Sequence, residues 1–219
     1  GDNLQLLEPA KKIVKHFGNP NLPIVVSNAC TSGVCAQITA MRQLSSSYDV
    51  AIVIGCDIQS QFIVSGFQSF KALSNEQCKP FDINRKGLNL GEAAATIILQ
   101  KKDEDANGWR LLNGTIHNDA NHISGPRRTG EGSYLCLKDV TKDYDINKLA
   151  LINLHGTATL YNDEMEAIAI DRANLQAIPV NGLKGYYGHT MGAAGIMETI
   201  LSMKAIETVT WPRGGFCFL

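Results

Sequence analysis

The sequence predicts an α/β fold built around parallel strands, and three observations predict it. Its apolar runs are short: Val50 to Gly55 is β-branched and uniformly apolar, the pattern of a strand covered on both faces, and Ala93 to Gln100 reads as an alternation-poor strand. Strand-like and helix-like segments alternate, and two consecutive strand-loop-helix units occupy the region from Lys148 to Glu207. Finally, 219 residues with 44% hydrophobic and 19% charged content can bury one large core or two small ones, and no low-complexity segment or linker divides them.

Taken in order, Pro23 to Ser27 reads as a strand, Asn28 to Gly33 as a tight turn, and Val34 to Leu44 as a helix with small and apolar residues all round. Val50 to Gly55 is a second strand, and Phe62 to Leu73 carries a helical pattern. A Pro/Gly/Asn-rich loop, Lys79 to Asn89, leads through Gly91 and Glu92 into the strand Ala93 to Gln100 and the charged turn Lys101 to Gly108. Trp109 to Ile116 alternates roughly, like a half-exposed strand, and a polar loop with His117, His122 and Pro126 follows. Then come strand Leu149 to Leu154, loop His155 to Asn162 and helix Asp163 to Ala173; strand Ile178 to Asn181, loop Gly182 to Gly188 and a helix from Thr190 to Glu207 repeat the unit.

Composition excludes several function classes. Lys plus Arg at 20 against Asp plus Glu at 21 leaves a formal charge of -1, so no global basic field exists to hold nucleic acid. No apolar stretch approaches the roughly 18 residues that a membrane span needs. The opening residues, Gly-Asp-Asn-Leu-Gln, carry neither a basic nor an apolar signal region, and a cytoplasmic address is expected. Six cysteines, at 30, 35, 56, 78, 136 and 217, form no Cys-x-x-Cys pair, which argues against a disulfide framework or a zinc ribbon and for thiols that are mostly reduced and buried.

Cys30 stands out because it precedes a helix that opens with Thr31, Ser32 and Gly33. Unpaired amides and the macrodipole at such an end favour a thiolate and can cradle an oxyanion. His155 in His-Gly-Thr-Ala-Thr and His189 in Gly-His-Thr-Met-Gly-Ala-Ala-Gly follow strands, so they are expected at the carboxyl edge of a sheet, where such folds hold ligands. Their flanking glycines leave room for a substrate. Metal ligation by His155, His189 and Asp163 is the weaker reading, since no Glu-x-x-His or His-x-x-x-His pair supports it. His16, His117 and His122 lie in polar stretches and are expected at the surface. A loop tied by ion pairs accounts for Lys79, Asp82, Arg85 and Glu92.

Together these segments resemble the β-ketoacyl synthases, the condensing enzymes of fatty-acid and polyketide assembly. The matching pieces are Asn28-Ala-Cys-Thr-Ser-Gly33, Lys79-Pro-Phe-Asp-Ile-Asn-Arg-Lys-Gly87 with Leu90-Gly-Glu-Ala-Ala94, His155-Gly-Thr-Ala-Thr159 with Asn162, Asp163 and Glu166, and Lys184 with Gly188-His-Thr-Met-Gly-Ala-Ala-Gly195. The resemblance runs from about Pro23 to Glu207 and implies a thiolase-like layered fold, helices sandwiching mixed sheets, that works as a homodimer or as a heterodimer with a related chain. It implies Cys30 as the acyl-accepting thiol and His155 and His189 as the pair that polarises a malonyl thioester. Lys184, partnered by Glu166, would support the histidines, and Thr157 and Thr159 would line the substrate path. An acyl carrier protein would be the partner, and neither a metal nor an organic cofactor is implied.

The same resemblance marks departures. Family members carry a substantial region ahead of the nucleophile, whereas 29 residues precede Cys30, and the segment after Glu207 lacks the family's closing Gly-Phe-Gly-Gly loop, for which Gly214-Gly215-Phe216 is a poor substitute. A single partial body over 1–219 is therefore expected, with the nucleophile in 23–108, the two histidines in 109–207 and a divergent tail over 208–219. The competing readings are a non-catalytic relative that partners another chain and a cysteine hydrolase using Cys30 with His155.

Overall fold

A computed structural model describes residues 5–44, 46–101, 107–122, 125–208 and 215–218. In chain order the elements are α1 (Leu7–His16), α2 (Ser32–Leu44), β1 (Val50–Asp57), α3 (Gln61–Ser69), β2 (Ala93–Gln100), α4 (Glu131–Thr141), β3 (Leu149–Asn153), α5 (Leu160–Arg172), β4 (Val180–Asn181), α6 (Lys184–Tyr187), α7 (Ala194–Thr208) and β5 (Gly215–Phe218). They form two sheets. The first pairs β1 with β2, antiparallel from Val50 opposite Gln100 to Asp57 opposite Ala93. The second is parallel, in the order β4-β3-β5. Among the described residues one sheet is antiparallel and the other parallel, so the α/β class holds while neither sheet is itself mixed, and β1 and β2 correct the expectation of parallel strands there.

Two helices without a polar face link the sheets to the site. α2 and α7 lie against the inner face of β1 and β2, burying Ala40, Val53, Ala95 and Ile196 in one cluster. Their N-terminal turns meet at Gly33 and Gly195. A Cβ on Gly195 would sit 2.6 Å from the Val34 nitrogen, and one on Gly33 would sit 2.9 Å from the Gly192 oxygen. Only glycine permits that approach. Buried Gln37 straps the same contact, its amide donating to the carbonyls of Gly33 and Gly195 at 3.3 and 3.2 Å. On its other side α7 faces β3, where the Asn153 amide donates to Glu198 at 2.9 Å. α4 and α5 cover the second sheet through Leu137, Ile152, Leu154, Ala169 and Ile170.

Several boundaries differ from the sequence reading. Residues 23–27 are extended but enter no ladder, with Ile24 and Val25 exposed. Residues 109–116 also form no strand, and Leu111, Leu112 and Ile116 face outward. Neither segment joins a ladder with a described strand, and an alternating pattern becomes a strand only through such a ladder. β1 is covered on one face only: Val50, Ile52 and Ile54 are exposed, as is Ile98 on β2. α1, α4 and the one-turn α6 were not foreseen. No described helix is long and apolar enough to cross a membrane. The turn over 102–106, and the comparison of Gly214-Gly215-Phe216 with a closing loop, fall outside the described residues, as does the Cys217 side chain.

Candidate active site

Cys30 sits on a sharp turn two residues ahead of α2. Ala29 holds a left-handed backbone, φ 47°, which for a non-glycine costs on the order of 1 kcal/mol and needs support. The support is local. The Ser32 hydroxyl donates to the Ala29 carbonyl at 2.6 Å and accepts the Asn28 amide at 2.8 Å, and the Thr31 hydroxyl donates to the Asn28 carbonyl at 2.8 Å. The expected thiolate is corrected here: burial pushes the Cys30 thiol above its ordinary value, and the nearby Lys184 charge offsets this only in part. Desolvation outweighs the charge and backbone donors that favour a thiolate there. Of the other described cysteines, Cys35 and Cys78 are buried, Cys136 is half-buried and Cys56 is exposed, so burial is not general.

His155 follows β3 on a loop that two buried carboxylates of α5 hold. Glu166 accepts the amides of His155 and Gly156 at 2.6 and 2.8 Å, and Asp163 accepts those of Ala158 and Phe81 at 3.0 and 2.7 Å. His189 is held by backbone instead. Gly188 takes φ 78°, the His189 amide donates to the Asn89 carbonyl at 2.7 Å, and its carbonyl accepts the Gly91 amide at 2.9 Å.

These loops converge. The Cys30 sulfur and one ring nitrogen of each histidine all lie within 4.8 Å of one another, and the two rings meet edge to face with centroids 5.2 Å apart. Burial, followed by the Lys184 charge, drives the basicity of His155 well below its ordinary value and that of His189 down to about 3. Both are neutral at physiological pH. The Met191 amide donates to His189 Nδ1 at 3.3 Å, so the ring proton resides on Nε2, a buried atom with no partner among the described residues. The site therefore presents a thiol and an unspent N–H donor, suited to a nucleophilic step and to an oxygen that gains negative charge.

Lys184 lies beneath them, fully buried. Its ammonium donates to the His155 carbonyl and to Glu198, both at 2.6 Å. Glu198, not Glu166, is thus its ion-pair partner; Glu166 is engaged by the backbone of the His155 loop and by Asn162. The Thr157 and Thr159 hydroxyls bond each other at 2.9 Å, whereas a cleft of about 640 Å³ is lined by His155 of this loop and by Asn162 of α5. Its other walls include Thr31, Asn118, Asp119, His122 and Ser133. His122 therefore belongs to the cleft, and His117 bonds Asp139 at 2.8 Å, while His16 is exposed. Arg85 lies 3.9 Å from Asp163 but donates to the carbonyls of Asp82 and Leu160, and Glu92 accepts the Gln59 amide. Backbone hydrogen bonds tie that region more than ion pairs do.

Sequence reasoning missed Asn153, Glu198 and Asp57, the last accepting the Gly192 amide at 3.1 Å. Each is a polar residue in or at the end of an apolar run, which was the available signal.

Comparison with known proteins bears on this constellation. A family model described as Beta-ketoacyl synthase, N-terminal domain, matches residues 10–105, and one described as Beta-ketoacyl synthase, C-terminal domain, matches 111–214. The chain is 32% identical over 211 residues to 3-oxoacyl-[acyl-carrier-protein] synthase 2 of Coxiella burnetii, covering 88% of this chain and 50% of that one. It is 31% identical to the chloroplastic 3-oxoacyl-[acyl-carrier-protein] synthase I of Hordeum vulgare, covering 88% and 45%. Among solved structures it resembles a ketosynthase in complex with its chain length factor from Xenorhabdus doucetiae, with TM-score 0.80, 32% identity, and 90% and 49% coverage. The chain spans about half the length of the relatives it matches.

Proposed function

The chain belongs to the β-ketoacyl synthase family, with its thiolase-like α/β fold, and from that premise we propose that it serves decarboxylative condensation of an acyl thioester with a malonyl thioester. The observation that carries the proposal is the convergence of Cys30, His155 and His189 within 4.8 Å. In the first half-reaction the Cys30 sulfur attacks the incoming thioester carbonyl, the thiol proton passes to the departing sulfur, and the acyl group remains on Cys30. In the second, malonyl loses CO₂. The electron pair left behind forms an enolate, whose oxygen accepts hydrogen bonds from His189 Nε2–H and from His155, both protons staying on nitrogen. The enolate carbon then attacks the acyl carbonyl, expelling the Cys30 sulfur, which regains a proton.

In this reading Lys184 and Glu166 are positioning residues: both hold the backbone of His155 and neither reaches the three reactive atoms through a side-chain bond. Thr157 and Thr159 are assigned to the substrate path through their place on the same loop. The segments 23–108 and 109–207 are taken as the nucleophile-bearing and histidine-bearing parts, supported by separate family models over 10–105 and 111–214. An acyl carrier protein is the proposed donor and a copy or a related chain the proposed partner, the latter supported by the similar ketosynthase solved with its chain length factor. A cytoplasmic address is part of the same proposal, with the chloroplastic barley relative naming the alternative that cell fractionation would reveal.

The test supplies an acyl thioester and malonyl thioester and follows peptide mass, CO₂ and product. Acylation at Cys30 followed by CO₂ release and a product two carbons longer is expected. Free acid without a new carbon-carbon bond would establish a cysteine hydrolase instead, and no acylation at all a non-catalytic relative.

A further inference from the structure

The same three atoms make a donor set that condensation alone does not exploit. One sulfur and two imidazole nitrogens suit Zn²⁺ and similar thiophilic divalent cations, which bind three such ligands tetrahedrally and keep a water in the fourth position. Metal-ligand bonds of about 2.0 to 2.3 Å place the ligand atoms roughly 3.3 to 3.6 Å apart. The trio, already within 4.8 Å, must therefore close by about an ångström. Side-chain rotation can supply this. No hydrogen bond restrains the His155 ring among the described residues, and the rings cross at 86°, so their nitrogens can converge on one point without stacking. A second observation also points to a ligand: His189 is 1% exposed, yet its Nε2 has no partner among the described residues.

Two features oppose a cation. The Met191 amide keeps the ring proton on Nε2, but through a bond of 3.3 Å, so moving the proton to Nδ1 loses one long contact and sets two N–H groups face to face, which a turn of the ring must relieve. The Lys184 ammonium is near, but Glu198 neutralises it at 2.6 Å.

We propose that Cys30, His155 and His189 form a binding site for a thiophilic divalent cation, occupied only while the Cys30 sulfur is unacylated. On binding, the thiol proton leaves to solvent, the His189 proton shifts from Nε2 to Nδ1, and the three ligands replace metal-bound waters. A thioester sulfur has no charge to offer, so metal binding and acylation exclude each other. That competition rests on the condensing reading; the site itself rests on geometry.

Co²⁺, titrated into the reduced chain after removal of any added thiol reductant, reports the site by a sulfur-to-cobalt charge-transfer band and the intense visible bands of four-coordination. One equivalent should bind, Zn²⁺ should displace it, and Cys30→Ala, His189→Ala and prior acylation of the wild-type chain should each abolish the band. Zn²⁺ at about ten times its Kd should slow iodoacetamide alkylation of Cys30 about tenfold, reversibly with chelator. Acylation needs no substitution, so a folding defect in a variant cannot decide the result. A missing band, or one that persists in Cys30→Ala or in the acylated chain, overturns the proposal. Cobalt bound at Cys30 in a chain that no thioester acylates would sink the condensing reading and leave the metal site standing.

Discussion

The loops that carry His155 and His189 deliver the same side chain to the same place by different means. The His155 loop hangs on charged side chains: Glu166 holds two of its amides, Asp163 a third, and Lys184 its carbonyl. The His189 loop is bound by main chain to main chain through Asn89 and Gly91, its ring is held by the Met191 amide, and it leads into the helix α7 that packs against α2 at Gly195. A loop held by buried charges depends on ion-pair completeness and on pH. A loop held by backbone depends on packing. Each variant below breaks one arrangement and should spare the other.

The largest expected effect is Glu198→Ala, which leaves the Lys184 ammonium buried without its carboxylate. Breaking a buried pair from one side costs about 3 to 5 kcal/mol, measurable as a lowered denaturant midpoint at an unchanged slope. An unaltered midpoint would show that the pair does not anchor the His155 side. Next, His189→Ala removes the unspent Nε2 donor, and loss of one such donor slows the step it serves by roughly 100- to 1,000-fold. Malonyl decarboxylation should fall by that factor while acyl transfer to Cys30 falls much less; equal losses would contradict the division of labour.

Gly195→Ala tests the backbone-held side. Its Cβ would stand 2.6 Å from the Val34 nitrogen, and overpacking of this kind costs about 1 to 3 kcal/mol. The variant should also slow thioester acylation of Cys30 less than decarboxylation, because it moves α7 and His189 away from α2. The smallest expected effect concerns pH. Burial raises the Glu166 carboxyl from its ordinary 4.5 to about 7, overriding the two amides that stabilise its charge. The folded chain then holds the proton over a range where the unfolded chain has lost it, so this group's contribution is full below about 4.5 and fades as pH rises to about 7. Denaturation in chelator-containing buffer should show that decline in the wild type and a flatter profile in Glu166→Gln. Parallel profiles would place the titration elsewhere.

Much of this was legible in advance for a simple reason. Cys30, His155 and His189 are bound into short local patterns of turn, strand end and glycine, and β2, β3 and α5 follow from periodicity to within a few residues. Local pattern also misled. Residues 23–27 and 109–116 have the composition of strands, yet a strand exists only where a neighbour supplies hydrogen-bond partners. The helix-end argument for a Cys30 thiolate likewise counted the amides ahead of the sulfur but not the atoms around it.

By itself, then, the sequence determined the family, the order of most elements and the three candidate side chains that converge, because each is written in residues close together along the chain. Only the tertiary structure decided that Lys184 pairs with Glu198 rather than Glu166, that β1 and β2 run antiparallel, and that the Cys30 thiol is raised. These depend on distances between segments far apart in sequence and on how much water burial removes. Neither quantity is contained in any local pattern of residues.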